Sequence, residues 1–597
     1  MPAAEIPNAD YLPLSRYGLL GDCRTAALVS DRGSVDWLCA PDFDSPAVFA
    51  RLLDAGRGGY FSIHPAAGSK TRAAYLQGSA VLETTSLTDT GVATLTDFMP
   101  LAEGEADERF ALPRSRRQLV RIAQCVEGTV ELVVEYRPRP DYGRRTGEDR
   151  VFRRVLHAGQ RFALLLELHP HALLREAADD EACSALEETL AFWRRWHEGC
   201  RYRGPHREAV LRSAATLKLL THAPTGAMVA APTTSLPEEI GGVRNWDYRY
   251  TWIRDAAFGF HTMFHAGHPE DARRFMRWTC DTALRCEPGT LQIMYGLRGE
   301  RELPERTLDH LEGYRGSRPV RVGNQASTQF QLDVYGELLD AFEMFRACSD
   351  LPAAHIRELW PAFAGQVDAV SRRWREPDSG IWEFRSPPQH FVYSKVMAWV
   401  ALDRGIRAAE ASGLPADLPG WRRERAAVRE EVLAKGYDAQ LGAFVQSYGA
   451  KRSDAANLLL PIVGFIDAGD PRMLSTIDFV SRRLMEDGMV YRYRDTDDGL
   501  PSGEAAFAAC TFWLVENLAQ AGRRDEAAAL FERMLARATP LGLYAEEIEP
   551  RSGTHLGNFP QALTHLALAN AAITLAKTSA DGSPGRAPPP GQAFGAR

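Results

Sequence analysis

The sequence predicts a multidomain chain of two fold classes: an N-terminal antiparallel β-sandwich over residues 1–180 and an all-α (α/α)6 toroid over residues 205–578. Three observations predict it. Short apolar–polar alternations fill the first part of the chain. The apolar period then changes from about two residues to about 3.6. After the change, twelve helical segments follow, and they group as six hairpins.

The alternating stretches are AALVSD, SVDWLCA, GYFSIHP, AVLETTSL, VATLTDFM, QLVRIAQCVEGTVELVVEYRP and RFALLLELHP. Gly, Pro and Asp punctuate them, as in a sandwich. Within them, VEGTVELVVEY reads as a hairpin with Gly128 at its turn. Residues 181–204 connect the two halves, and Asp180 to Glu198 read as one amphipathic helix. The twelve helices are expected at 207–222, 251–267, 269–286, 325–349, 353–375, 389–412, 418–436, 453–467, 471–486, 504–521, 524–538 and 558–577. A closed double ring of six hairpins gathers its loops at one end. A flat solenoid is the competing arrangement, but no fixed-period repeat supports it. Residues 579–597 are rich in Pro and Gly and are expected to be a disordered tail.

The chain has 597 residues, 45% hydrophobic and 25% charged, which are ordinary values for a folded protein. Its 70 basic and 78 acidic residues leave a net charge of −8, which argues against a nucleic-acid partner. No apolar run reaches the ~20 residues of a membrane span. The start, MPAAEIPNADYLPLSRYG, does not read as a secretory signal. Nine cysteines at irregular spacing, without a CxxC, argue against a disulfide framework and a zinc site. A reduced, cytoplasmic protein is expected, with no membrane partner.

Four segments concentrate aromatic, basic and acidic residues beside helix ends. In RNWDYRYTWIRD, Arg244 to Asp255, Trp and Tyr faces suit a pyranose, and Arg254 with Asp255 suit its hydroxyls. The same residues read equally as a buried salt-bridge cluster. In DSGIWEFRSPPQHFVYSK, Glu383 follows Trp382 in a short extended stretch. A carboxyl against an indole has its pKa raised by desolvation, which suits a general acid, although a solvated loop glutamate is the commoner case. VYRYRDTDDGLPSGE alternates Arg492 and Arg494 with tyrosines and lacks calcium-loop spacing. In YAEEIEPRSGTH, Glu546, Glu547 and Glu549 crowd a loop before the last helix; one could hold a water as general base, or the loop could simply be solvated.

Acetal hydrolysis would unite these segments, since it needs one protonated carboxyl and one ionised carboxylate. A ring fold can bring Glu383 and Glu546 together although 163 residues (546 − 383) separate them. No GxSxG, HExxH, GxxxxGK[ST] or dinucleotide fingerprint competes.

The chain resembles glycoside hydrolase family 15, the glucoamylase family, and is most similar to its bacterial trehalase and glucoamylase-like branch. The resemblance runs from YGLLGDCRTAALVSDRGSVDWLCAPDFDSPAVFARLL to GNFPQALTHLALANAA. It implies the same sandwich, linker helix and toroid. DYRYTWIRD is similar to the family's DYxYTWxRD signature, which implies Tyr248 beside the reacting sugar, Trp252 as a pocket wall, and Arg254 with Asp255 on the non-reducing glucose. GIWEFR resembles the LWE segment, implying Glu383 as general acid beside Trp382. YAEEIEP implies Glu546, not Glu547, as general base, and VYRYRD makes Arg492 a sugar ligand. Two departures stand out: Phe507 replaces a pocket tryptophan of fungal relatives, and Asp42 in PDFDSP replaces a basic residue.

The expected function is therefore an inverting, exo-acting α-glucoside hydrolase that releases β-glucose from a non-reducing end, with carboxyls ~6.5–9.5 Å apart. Trehalose is the favoured small-molecule substrate, and α-1,4 or α-1,6 gluco-oligosaccharides are the alternative. An α-glucoside phosphorylase and a non-catalytic sugar-binding protein are further alternatives. No metal or organic cofactor is implied.

Overall fold

The computed structural model describes residues 11–107, 110–168, 172–348, 352–501 and 503–580. An antiparallel sheet domain comes first and a helical region follows. The sheet is organised by one 20-residue strand, Gln118–Arg137. Its first half pairs with Gly91–Phe98 and Arg161–Glu167, and its second half with Tyr60–Pro65 and Arg150–His157. The sheet thus has two leaves sharing one strand. Leu20, Val29, Phe49 and Phe61 of one leaf share an apolar core with Leu82, Leu95, Leu119 and Leu164 of the other. Arg121 and Asp97 are fully buried and paired at 2.8 Å, and Arg121 also donates to the Gly33 carbonyl at 2.8 Å. Those bonds compensate a charge that could not otherwise be buried.

The hairpin expected at Gly128 does not form. Residues 118–137 continue as one strand, with a register shift between Cys125 and Glu127. Gly128 has φ +72°, and a Cβ there would stand 2.2 Å from the Thr90 carbonyl oxygen. The extra residue makes a bulge, which bends the strand instead of reversing it.

Helix α1 (Asp179–Glu198) leaves the sheet domain; residues 199–204 are not helical. Twelve helices follow among the described residues: α2 (Arg207–Leu219), α3 (Arg254–Ala266), α4 (Pro269–Leu284), α5 (Asp333–Cys348), α6 (Ala353–Arg373), α7 (Val392–Ser412), α8 (Leu418–Lys435), α9 (Leu459–Ile462), α10 (Pro471–Arg483), α11 (Ala508–Gln520), α12 (Arg524–Leu535) and α13 (Ala562–Ala580). Local chemistry sets the ends. Gly267, at φ +101°, stops α3 and Pro269 opens α4, so two residues suffice to turn the chain. Asp470 accepts the Arg472 N–H at 2.9 Å and caps α10. The helix expected over 453–467 shrinks to a 3-10 turn, Ala455–Leu458, running into α9, because Pro461 and Gly464 end it. The helix expected from 325 begins only at Asp333, after a 3-10 turn at Gln325–Thr328. The expected tail begins inside α13, which runs to Ala580; the rest of it lies outside the described residues.

The helices sort into two kinds. Helices α5, α7 and α11 are buried nearly all round. Helices α8, α10 and α12 bury one stripe each, such as Ala527, Leu530, Phe531 and Met534 of α12. The packing runs from α3 to α5, α7, α9, α11 and α13, and α13 returns to α3. No described helix is long and apolar enough to cross a membrane.

Candidate active site

A cavity lies where the buried helices begin. Arg254 is the first residue of α3, Phe507 precedes α11, and Gln561 precedes α13; all three line it. The loop before α7 adds Ile381, Trp382, Glu383 and Arg385.

The local fold explains how Glu383 is aimed. It sits in a turn, not in the expected extended stretch, with φ +61°. Arg254 Nη1 donates to the Ile381 carbonyl at 3.1 Å, and Gln329 Nε2 donates to the Glu383 carbonyl at 3.2 Å. These bonds hold a left-handed backbone that a glutamate would otherwise avoid. Trp252 Nε1 then donates to Glu383 Oε1 at 2.7 Å. Burial raises the pKa of Glu383, while Arg254 and the Trp252 bond oppose the rise. Trp382 is fixed from three sides: its Nε1 donates to Asp454 Oδ1 at 2.8 Å, Trp513 stacks on it at 6.0 Å, and Phe507 meets it edge-on at 5.5 Å.

Glu546 immediately precedes the short strand Glu547–Ile548, which pairs with Ala506–Phe507 just before α11. Its Oε1 accepts the Tyr248 hydroxyl and its Oε2 accepts the Asn558 N–H at 3.3 Å. Gly557, at φ +72°, packs so closely that a Cβ would come within 2.6 Å of Glu546 Oε2. Burial raises the Glu546 pKa, the charge of Glu238 adds to the rise, and Arg492 and the Tyr248 bond oppose it. Asp255 is buried behind Arg254, and its Oδ2 has no hydrogen-bond partner.

Arg492 lines the cavity, and one of its nitrogens is taken up by carboxylates. Its Nη2 reaches Glu504 at 2.6 Å, Glu238 at 2.7 Å and Glu547 at 3.1 Å. Asp42 does not reach the cavity. It pairs with Arg298 at 2.5 Å, His222 at 3.4 Å and Arg24 at 3.5 Å, where the sheet domain meets the helices.

Of the predicted site residues, Tyr248, Arg254, Trp382, Glu383 and Arg492 line the cavity, and Trp252 and Glu546 join it through the hydrogen bonds above. Sequence reasoning missed Glu238, Arg385, Asn324, Leu500 and Gln561, which also line it. Trp246 lay in the first aromatic segment but had no assigned role. It is clamped between Arg321 at 4.5 Å and Arg385 at 4.9 Å, and Glu305 binds both arginines. The same stretch alternates. Tyr248 faces the cavity, whereas Arg249 points away, donating to the Ser45 carbonyl at 3.0 Å and to Tyr142 Oη at 2.6 Å in the sheet domain.

Residues 204–573 match the family described as glycosyl hydrolases family 15. The chain belongs to that family. Its members are glycosidases, and this chain is one. Residues 6–150 match a second description, trehalase-like N-terminal. The chain is similar to the trehalase of Mycolicibacterium smegmatis, 41% identical over 96% of this chain and 93% of that one. The trehalase of Mycobacterium tuberculosis is 40% identical over 96% and 91%, and that of Thermoplasma volcanium 37% over 96% and 95%. A bacterial glucoamylase solved in complex with acarbose shares the fold, with a TM-score of 0.64 at 12% identity over 97% of this chain and 95% of that one.

Proposed function

We propose that this glycosidase is an inverting, exo-acting α-glucoside hydrolase and that trehalose is its substrate. One observation carries the reading: Trp252 and Tyr248 each bond a different glutamate at one cavity. Glu383 protonates the bridging oxygen, and Glu546 takes a proton from the attacking water on the other face of the ring. Burial raises the pKa of both carboxyls, which favours a proton on Glu383, and Glu546 acts as base in its ionised form. Arg254, which lines the cavity, holds the non-reducing glucose, and Asp255, which is buried outside the cavity lining, orients Arg254 through a 3.4 Å bond. Trp382 walls the cavity. Trehalose is favoured because similarity to proteins named trehalases spans almost the whole chain.

The same reading takes the helical cycle as an (α/α)6 toroid and the two-leaved sheet as a β-sandwich, with units at 1–180, 181–204 and 205–578. The return of α13 to α3 and the core shared by both leaves support it. Buried free cysteines suit a cytoplasmic setting.

The test is glucose release from trehalose, maltose, isomaltose, maltopentaose and soluble starch, with and without phosphate, with the anomers followed by NMR. Preferred cleavage of trehalose to equal initial amounts of α- and β-glucose is the expected result. Preference for maltopentaose would move the substrate to gluco-oligosaccharides. Two α-glucoses per trehalose would rule out inversion.

A further inference from the structure

Glu238 belongs to neither half of the assigned carboxyl pair, yet it lines the same cavity and is 1% exposed. Its Oε1 accepts the Trp246 Nε1–H at 3.1 Å, and its Oε2 accepts Arg492 Nη2–H at 2.7 Å. That Arg492 nitrogen is shared with Glu504 and Glu547, so three carboxyls converge on one guanidinium nitrogen. Arg244 adds a second guanidinium, 2.7 Å from Asp498 and 3.8 Å from Glu504.

The backbone ties this cluster to Glu546. The Pro237 carbonyl, one residue before Glu238, accepts the Gly557 N–H at 2.7 Å. Gly557 is the residue that packs on Glu546 Oε2, and Asn558 beside it donates to that oxygen. Asn558 also donates its side-chain amide to the Trp246 carbonyl at 2.9 Å. Glu547 is the next residue after Glu546 and joins the Arg492 cluster. The segments that seat Glu238 are therefore the segments that seat Glu546.

The charges do not balance. Glu238, Glu504, Glu547 and Asp498 pair with the two guanidinia of Arg244 and Arg492, Tyr493 donates to Asp498 at 2.6 Å, and Glu546 stands next to Glu547 with Tyr248 as its titratable hydrogen-bond partner. Both Glu238 oxygens accept N–H donors, from Trp246 and from Arg492, which suits an ionised carboxylate there. A fixed negative charge beside a carboxyl favours its protonated form.

We propose that Glu238 is a positioning residue of the hydrolysis: held by Arg492 and Trp246, its negative charge drives proton uptake by Glu546. No bond forms or breaks at Glu238. The proton of the attacking water goes to Glu546, and Glu238 makes that transfer more favourable. The inference rests on Glu546 being the base.

The experiment is the pH dependence of kcat/KM on the best substrate of the panel, for the full chain and for Glu238→Gln, Glu238→Asp, Glu504→Gln and Glu546→Gln. In Glu238→Gln the acid limb, where the base becomes protonated, moves to lower pH by about one unit and the plateau falls about tenfold. Glu238→Asp keeps the charge and brings the limb back. Glu504→Gln removes one charge from the cluster away from Trp246, and its limb moves the same way by less. A uniform fall in rate with the limb unmoved in both Gln variants would overturn the proposal, leaving Glu238 a packing residue. Near-normal turnover in Glu546→Gln would instead overturn the base assignment, and this inference with it. Melting curves establish that each variant is folded; if Glu238→Gln is not, Glu504→Gln decides.

Discussion

Tyr248 and Trp252 meet edge to face with ring centroids 5.3 Å apart, and each gives its polar hydrogen to a different glutamate. One turn of chain therefore sets the direction of both Glu546 and Glu383. The same stretch leads into α3, whose first residue, Arg254, holds the Glu383 turn from below. The two carboxyls and their supports form one mechanical unit.

Removing either carboxyl separates chemistry from folding. Glu383→Gln and Glu546→Gln each preserve shape, and each should lower glucose release by at least about a hundredfold. Circular dichroism and melting temperature should change little. Near-normal turnover in either variant would show that its role is misassigned.

Tyr248→Phe removes one donor to Glu546 while keeping the ring against Trp252. A fall of about tenfold in kcat is expected, with KM little changed, because the lost hydrogen bond serves the carboxylate and not the sugar. Steady-state kinetics on the wild type and the variant resolve the split.

The sheet domain has its own vulnerable point. Asp97→Asn leaves Arg121 charged and fully buried without its partner. A loss of about 3–5 kcal/mol is expected. Chemical denaturation followed by tryptophan fluorescence measures it, and a loss below about 1 kcal/mol would mean that water reaches Arg121.

Stability should fall on both sides of a mildly acidic optimum. Burial pushes Glu516 up to about 8, so its contribution is present below the usual 4.5 and is lost as pH rises toward that value. Burial pulls His261 from 6.5 to about 4, so its contribution is present above 6.5 and is lost as pH falls through about 4. Melting temperature against pH should show both flanks. Glu516→Gln should flatten only the alkaline one; an unchanged alkaline flank would mean that Glu516 does not cause it.

The helix pairs were legible because glycine and proline mark their ends, as Gly267 and Pro269 do between α3 and α4. Gly128 misled for the same reason: a glycine between alternating runs reads as a turn, but it pairs with Gly91 in one continuous strand, and the bulge falls two residues earlier, at Val126. On residue types alone Glu383 read as readily as a solvated loop glutamate and Glu546 was not separable from Glu547 and Glu549; the family resemblance singled both out. Neither route pointed to Glu238. Its neighbour Glu239 has the same type and is exposed, and only the fold decides which of the two turns inward. Arg492 was picked out for its aromatic neighbours, but its three carboxyl partners come from distant segments that no local pattern reveals.

Alternation at Tyr248 and Arg249 gives one stretch of chain both to the cavity and to the sheet domain. On its Arg249 side that stretch is bolted to Ser45 and Tyr142 of the sheet domain. The two domains are therefore poor candidates for independent inheritance. A recombination event that exchanged the N-terminal half would have to preserve those anchor points to the ångström, or the chain would keep its catalytic residues and lose their alignment.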